Sequence, residues 1–454
     1  MQAREPDGLP SPQRQWAMLA IGLAIAMAVL DSAIANVALP TIARDLRATP
    51  ADSVWVVNAY QLVITILLLP LASLGEISGY RRIYRAGLAV FTLASLGCAL
   101  SASLGMLTLA RVVQGVGAAG VMSVNAALVR YIYPRRMLGR GIGIVALVVA
   151  VSAAVGPTVA AAILSVASWP WLFAVNVPTG IVTMIAARAL PRTPRSGGRF
   201  DYPSALLNAL FFGLLIVAID SLGHGGRALN VALAFAGAAA SGIALVVRQL
   251  PLPAPLLPVD LLRIRVFALS IATSVCSFAA QMLAYVAIPF YFQDALGRGA
   301  VATGLLMTPW PAATALTAPL AGRLADRYSA GMLGALGLGL FAAGLALLAL
   351  LPAASTDANI VWRMALCGVG FGLFQSPNNR AILSSAPRAR SGGASGMLGT
   401  ARLLGQTAGA ALVALMFGLF HAHATLVALG AASGISLVAA AVSGTRMLRT
   451  QTSA

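Results

Sequence analysis

Apolar runs of about 20 residues recur along the whole chain, separated by short polar segments. A run of that length crosses roughly 30 Å of hydrocarbon as an α-helix. The pattern predicts an all-α polytopic membrane protein with fourteen transmembrane helices, and it leaves no long segment for a soluble domain. The predicted spans are 16–39, 54–74, 83–103, 105–130, 138–165, 170–190, 203–221, 229–249, 266–292, 303–321, 331–351, 359–384, 394–420 and 424–446.

Composition agrees with this pattern. Of the 454 residues, 59% are hydrophobic and 9% are charged, a profile typical of polytopic membrane proteins. The net charge of +18 comes from arginine alone, since the chain has no lysine. Because the arginines fall in short segments between apolar runs, they predict membrane topology and not nucleic-acid binding. The polar first 15 residues do not resemble a cleaved signal peptide.

The arginines also predict an orientation. An even number of spans places both termini on one side of the membrane. If that side is cytoplasmic, 22 arginines lie in cytoplasmic segments and four in outer loops, as the positive-inside rule requires. The sequence therefore predicts a multi-pass protein of the cell inner (cytoplasmic) membrane with both termini cytoplasmic. Four arginines remain within the spans: Arg111, Arg363, Arg380 and Arg402.

A faint internal repeat suggests two related halves. Segments 72–79 and 322–329 align at an offset of 250 residues, and each has an acid at its fifth position, Glu76 and Asp326. Repeated halves are common in transporters. We therefore expect two six-helix halves separated by an extra helix pair. The expected segments are an N-terminal tail (1–15), a first bundle (16–190), the extra pair (203–249), a second bundle (266–446) and a C-terminal tail (447–454).

Asp31 lies inside the first apolar run. A charge at mid-membrane depth costs roughly 2.5–3.5 kcal/mol on insertion scales, so such a residue suggests a functional site. At 1.5 Å per residue, Asp31 lies roughly 12 Å from the outer end of its span, and Arg111 roughly 9 Å from the outer end of the fourth span. The similar depths predict an ion pair. It is either a coupling site for a proton or cationic substrate, or a fixed salt bridge between helices.

Several ordered motifs resemble the major facilitator superfamily, and within it the fourteen-helix drug:proton antiporter branch. They are LDSAIANVALP at 30–40, RVVQGVG at 111–117, GP at 156–157, NVPTG at 176–180 and GFGLFQSPNN at 370–379. The resemblance covers nearly the whole chain. It implies a transporter that works by alternating access and exports small amphipathic or cationic compounds, with the proton gradient as energy source and no cofactor.

The expected partners are a small-molecule substrate, protons and the lipid bilayer, with no nucleic acid, and the protein is expected to be a monomer. A narrow-range metabolite or peptide carrier is one alternative, and a non-transporting membrane sensor of the same fold is another. No nucleophile–base pair or metal cluster stands out in the sequence, so an enzyme is not expected.

The resemblance and the depth argument assign roles to particular residues. Asp31 and Arg111 are the expected proton-coupling pair. A gate latch is expected at two places: at Gly75, Glu76, Gly79, Arg81 and Arg82 in the first half, and at Asp326 and Arg327 in the second. The alternative is a plain topology signal with a tight turn. Gly156 and Pro157 form an antiporter-type motif that bends helix five. The candidate cavity residues, each alternatively a packing residue, are Asn36, Gln114, Asn125, Gln281, Tyr285, Phe374 and Gln375.

The segment 115–120 also spells GxGxxG, a possible dinucleotide fingerprint. It follows no predicted strand and lies within a membrane helix. Small residues let helices approach closely in a membrane. The sequence therefore predicts that these glycines pack helices.

Overall fold

The structure, a computed structural model, describes residues 8–195, 200–223, 225–251, 259–352, 355–387, 390–420 and 423–446. Within these residues it contains the fourteen predicted helices. They are α1 (Ser11–Asp45), α2 (Trp55–Ser78), α3 (Tyr80–Ala99), α4 (Leu104–Ile132), α5 (Leu138–Val166), α6 (Asn176–Ala186), α7 (Tyr202–Gly223), α8 (Ala228–Gln249), α9 (Arg265–Phe290), α10 (Pro309–Leu324), α11 (Ala330–Ala349), α12 (Asp357–Ser385), α13 (Ser391–Phe420) and α14 (Ala424–Thr445). Short helical segments precede α2, α6 and α10: Pro50–Ser53, Pro170–Ala174 and Ala300–Met307.

Eleven of these stretches have the length and apolar character of a membrane span on their own. The other three are α3, which begins with several arginines, α10, which is 16 residues long, and α12, which carries charged residues along its length. Each lies between spanning helices. The fourteen-helix prediction is therefore confirmed for the part of the chain that the structure describes.

Two predicted spans are divided helices rather than single ones. The span 170–190 is interrupted at Val175, and the span 303–321 at Thr308. Proline explains both breaks, because it has no backbone N–H to donate to the fourth residue before it. Pro178 follows the first interruption, and Pro309 begins the helix after the second.

The chain ends also differ in detail from the prediction. Helix α1 begins at Ser11, five residues before the predicted span. Residues 1–7 of the N-terminal tail and the whole C-terminal tail (447–454) lie outside the described residues.

The helices pack as two groups. Helices α1 to α6 contact one another in the first half, and α9 to α14 do so in the second. The halves meet where α1 contacts α9, where α2 contacts α13, and where α5 contacts α10 and the segment Ala300–Met307 before it. Helices α7 and α8 pack against each other, and α7 lies across the α2–α13 contact.

Hydrogen bonds fasten α7 to the first half. The Asn208 side chain donates to the Ile66 carbonyl at 2.8 Å, and the Trp55 indole donates to Asp220 at 2.9 Å. The extra helix pair is thus attached where α2 and α13 meet.

The two ends of the bundle are named here the terminal face, which holds Ser11 and Thr445, and the distal face at the other end. At the terminal face, the Leu9 amide donates to the Ile132 carbonyl at 3.1 Å, joining the start of α1 to the end of α4.

The halves are held together from mid-depth to the distal face. Side-chain hydrogen bonds join them at three places: Thr65 with Thr407 (2.9 Å), Thr158 with Thr308 (2.8 Å) and Arg44 with Gln293 (2.8 Å). Among the described residues, no hydrogen bond joins the halves at the terminal face. The bundle is therefore closed distally.

The glycines at 115–120 lie inside α4 and pack against neighbouring helices. A Cβ added at Gly117 would lie 2.3 Å from the backbone nitrogen of Phe91, and one at Gly120 would lie 2.9 Å from Cα of Gly87. Such distances are far below van der Waals contact. The prediction that this motif packs helices is confirmed.

Candidate functional site

Asp31 on α1 and Arg111 on α4 form an ion pair between Oδ2 and Nη1, and neither side chain is exposed. The pair predicted from helix rise is thus present in the structure. A buried ion pair gains attraction in a low-dielectric interior but loses the hydration of both ions. Its stability therefore depends on the hydrogen bonds that surround it.

Two amide side chains complete the coordination of the carboxylate. Gln114 and Asn176 each donate to Asp31 Oδ1, at 2.8 and 2.9 Å. Gln114 also accepts a hydrogen bond from Arg111 Nη1 at 2.6 Å and donates to the Ser95 hydroxyl at 2.9 Å. Asp31, Arg111, Gln114 and Asn176 are called the charge cluster below. It contains one acid, one base and two neutral donors.

The guanidinium of Arg111 has further partners in the first half. Its Nε donates to the Val56 carbonyl at 2.8 Å, and its Cζ atom lies 4.1 Å from the ring centroid of Tyr60. A cation over an aromatic face is attracted by the ring quadrupole, most strongly when both are desolvated. The Tyr60 hydroxyl in turn donates to the Ala28 carbonyl, at 3.4 Å, one turn before Asp31. Arg111 is thus fixed from three sides.

Sequence reasoning missed two members of this arrangement. Asn176 stood within a quoted motif without a role, although it lies six residues into the sixth predicted span, at the depth of Arg111. Helix rise alone places Asn176 at that depth. Tyr60 gave no signal beyond its place in an apolar run. Gln114, predicted as a cavity residue, lies in the charge cluster with no exposed surface.

A cavity of about 230 Å³ lies on the terminal side of the cluster, and ten of its eleven lining residues belong to the first half. Helices α1, α4 and α5 form most of its wall, and Arg402 of α13 faces it from the second half. Its lining is Ile25, Ala28, Val29, Met122, Asn125, Ala126, Val129, Ile142, Val145, Val149 and Arg402. Asn125 thus lines a cavity, and its part in substrate binding stays a prediction. The wall is otherwise apolar, which is typical of small-molecule sites.

The other predicted cavity residues are placed differently. Asn36 is buried, and its side-chain oxygen has no hydrogen-bond partner. Phe374 is 1% exposed and lies among aromatic rings in the core of the second half. Gln281, Tyr285 and Gln375 are half-buried on α9 and α12. Their part in a cavity stays a prediction.

The first gate motif forms a tight turn between α2 and α3. Gly79 has φ +99°, a conformation that favours glycine. The Arg81 guanidinium donates to the Arg188 carbonyl at 2.9 Å, while Glu76 is exposed and has no salt-bridge partner among the described residues. At Gly75, an added Cβ would lie 2.8 Å from a methyl of Val124 on α4. Several guanidinium groups line an adjacent cavity of about 780 Å³: Arg81, Arg82, Arg85, Arg192 and Arg195.

The second gate motif, between α10 and α11, has a different structure. Asp326 forms an exposed ion pair with Arg380 near the end of α12, and Arg327 is exposed. Ser329 has φ −65° and accepts a hydrogen bond from the Met332 amide at 3.2 Å, capping α11. This turn needs no positive φ, which explains why serine can stand where the first copy has glycine.

Gly156 and Pro157 lie where α5 touches both α1 and the second half. A Cβ at Gly156 would lie 2.6 Å from Cβ of Ala33, two residues after Asp31. The Pro157 carbonyl oxygen would lie 2.6 Å from a Cβ at Gly304, in the segment before α10. The motif therefore permits close approach at the junction of the halves.

The family model named Major Facilitator Superfamily matches residues 21–410. The chain belongs to the major facilitator superfamily. It is therefore a multi-pass membrane transporter of small molecules and not an enzyme, and the predicted family resemblance is confirmed.

Relatives within the major facilitator superfamily cover most of the chain. It is 62% identical over 446 residues to "Uncharacterized transporter YebQ" of Escherichia coli (strain K12), covering 98% of each chain. It is 30% identical to "Riboflavin transporter RibZ" of Clostridioides difficile (strain 630), covering 89% of each. It is 31% identical to "Multidrug resistance protein Stp" of Mycobacterium tuberculosis (strain ATCC 25618 / H37Rv), covering 87% of this chain and 74% of that one.

A solved structure shows the same fold. The bacterial homologue of the human lysosomal transporter Spinster superposes with a TM-score of 0.70 at 15% identity, covering 96% of this chain and 97% of that one. At this identity the similarity concerns the fold alone.

Proposed function

We propose that this transporter exports small amphipathic compounds in exchange for protons across the bacterial cytoplasmic membrane. The charge cluster is the observation that carries this proposal. Protonation of Asp31 would remove the only negative charge of the cluster and leave a buried guanidinium uncompensated. Breaking a buried pair in this way is strongly unfavourable, so the helices that hold the cluster must rearrange when the proton binds.

In alternating access, the rearrangement opens one face of the bundle and closes the other. The halves are joined at the distal face, and the cavity lies on the terminal side of Asp31 along α1. We assign the terminal face to the cytoplasm because most arginines lie there. A proton that enters down a potential of 100 mV releases about 2.3 kcal/mol, which can drive export of a compound bound in the cavity.

The cavity and the charge cluster are connected. Ala28 lines the cavity, and its carbonyl accepts the hydrogen bond of Tyr60, whose ring lies under Arg111. A change in the position of Arg111 would therefore move the cavity wall. This connection supports the assignment of Asp31 and Arg111 as the coupling pair.

The gate motifs fit the same scheme. We assign Glu76, with Arg81 and Arg82, to a latch at the cytoplasmic face that closes when the distal face opens. The lack of a salt-bridge partner for Glu76 among the described residues agrees with an open latch in this state. In the second half, Asp326 keeps its partner Arg380 and, with Arg327, forms the matching contact.

The named relatives support small-molecule transport of this kind. They include a multidrug resistance protein, a multidrug efflux pump and a riboflavin transporter. We take the chain to act as a monomer in the bilayer, with both termini cytoplasmic.

Efflux of fluorescent compounds from cells overexpressing the chain tests the proposal. The panel should contain matched neutral, cationic and anionic dyes. We expect at least one dye to leave faster than in control cells, and both an uncoupler and Asp31→Asn to abolish the difference. Asp357→Asn, at an exposed ion pair with Arg298, is the matched control and should retain efflux.

Unchanged uncoupler-sensitive efflux in Asp31→Asn would contradict the coupling role of this residue. Failure of the purified chain to move any compound in proteoliposomes would favour a membrane sensor instead.

A further inference from the structure

Arg402 differs from the other arginines that the sequence places within spans. Arg111 is paired with Asp31, Arg380 is paired with Asp326, and Arg363 donates to the Leu347 carbonyl at 3.0 Å. The buried Nε of Arg363 and that of Arg402 both lack a hydrogen-bond partner, but of these four arginines only Arg402 makes no side-chain hydrogen bond or ion pair with the described residues. An ionisable residue at membrane depth is expensive and is therefore expected to serve a function.

The surroundings of Arg402 have the character of a binding site. Arg402 is one of the residues that line the 230 Å³ cavity, and no acidic residue is among the others. Across the cavity, the side-chain oxygen of Asn125 is also buried without a hydrogen-bond partner. The rest of the lining is aliphatic or thioether. An unsatisfied cation and an unsatisfied acceptor thus face a small apolar space.

We infer that the exported substrate is an organic anion whose acidic group binds Arg402 and whose apolar body fills the cavity. A guanidinium presents a planar fork of donors that matches a carboxylate, phosphate or sulfonate oxygen pair. The Asn125 oxygen accepts a hydroxyl or amine proton elsewhere on the molecule. This inference rests on the proposed export function and narrows its substrate class.

The positive charge of Arg402 argues against a cationic substrate. The expectation of cationic compounds, drawn from family resemblance, would place a second positive charge beside Arg402 in a site with no carboxylate among its lining residues. Like charges at close range in a poorly hydrated site repel strongly. Asp31 does not relieve this, because its oxygens are occupied by Arg111, Gln114 and Asn176.

The cavity size limits the ligand. A volume of about 230 Å³ is smaller than the roughly 300–1,000 Å³ of pockets for drug-sized molecules. It suits a small aromatic or branched aliphatic acid, or the acidic end of a larger compound.

A pair of probes with matched bodies and opposite charges tests the inference. Binding of 2-naphthoate and of 2-naphthylmethylammonium to the purified full-length chain would be measured at pH 7 by calorimetry. We expect 2-naphthoate to bind, Arg402→Gln to weaken it at least tenfold, and Arg402→Lys to retain part of the affinity. Arg363→Gln, which removes a span arginine away from the cavity, should bind like the wild type.

Three results of these binding measurements would overturn the inference. They are equal or tighter binding of the ammonium probe, unchanged 2-naphthoate binding in Arg402→Gln, and no binding of 2-naphthoate or 2-naphthalenesulfonate at millimolar concentration. A thermal unfolding midpoint near that of wild type would show that Arg402→Gln is folded.

Flux measurements separate this inference from the proposed function. One-for-one exchange of a monovalent anion for a proton moves two positive charges inward, so a potassium diffusion potential should accelerate it. The same exchange with a monovalent cation is electroneutral. Proton-driven flux of the ammonium probe alone would overturn the anion inference and leave the export function standing. Anion binding without any proton-driven flux would overturn the export function and leave Arg402 as the residue that binds the anion.

Discussion

Asp31→Asn changes one atom of the charge cluster. Gln114 and Asn176 both donate to Oδ1, so an asparagine would keep its carbonyl oxygen there and place its NH₂ at the Oδ2 position. That position faces Nη1 of Arg111. The substitution therefore places two N–H donors, the asparagine NH₂ and Arg111 Nη1, against each other, and it leaves the guanidinium without a counter-charge.

The expected loss of stability is large. Removing one partner of a buried pair costs about 3–5 kcal/mol, and the Val56 carbonyl and the Tyr60 ring, which remain, do not replace the missing charge. The double variant Asp31→Asn/Arg111→Gln removes both charges, so it should lose less than the sum of the two single variants. We expect a coupling energy of about 2–3 kcal/mol, at the upper end for residues in contact. Transport should fail in all three variants.

Thermal unfolding can be followed with a thiol-reactive dye, because Cys98 and Cys367 are buried and we expect them to react when the protein unfolds. Asp357→Asn is the control, since its exposed pair should contribute at most about 1 kcal/mol. Two results would refute this reasoning: an Asp31→Asn protein as stable as the control, or a double variant as unstable as the sum of its parts.

Two further predictions concern helix contacts. Gly117→Ala should lower the free energy of unfolding by about 1–3 kcal/mol through overpacking, whereas Gly105→Ala, where an added Cβ has no neighbour within 4 Å, should be neutral in the same assay. The hydroxyls of Thr158 and Thr308 lie 2.8 Å apart across the halves, so a Thr158→Cys/Thr308→Cys disulfide should stop transport until it is reduced. Undiminished flux in the oxidised protein would contradict the need for the halves to separate there.

Features that depend on distance along a helix were predictable from the sequence. Helix rise alone placed Asp31 and Arg111 at one depth, and it would have placed Asn176 there too. Features that depend on which face a helix turns toward its neighbours were not predictable from the sequence. A helix that is apolar all round gives no signal of which face meets its neighbour. Phe374 was therefore predicted in the cavity although it lies in the core, and Gln114 was predicted there although it binds Asp31.

The proton and the substrate would act on different contacts. Every member of the charge cluster belongs to the first half, so protonation of Asp31 changes packing within that half. A substrate held between Arg402 and Asn125 would instead bridge the two halves on the side where the described residues show no hydrogen bond between them. The two actions meet on α1, where Ala28 lines the cavity one turn from Asp31. Coupling then requires only that this turn of α1 take different positions when Asp31 is ionised and when it is protonated.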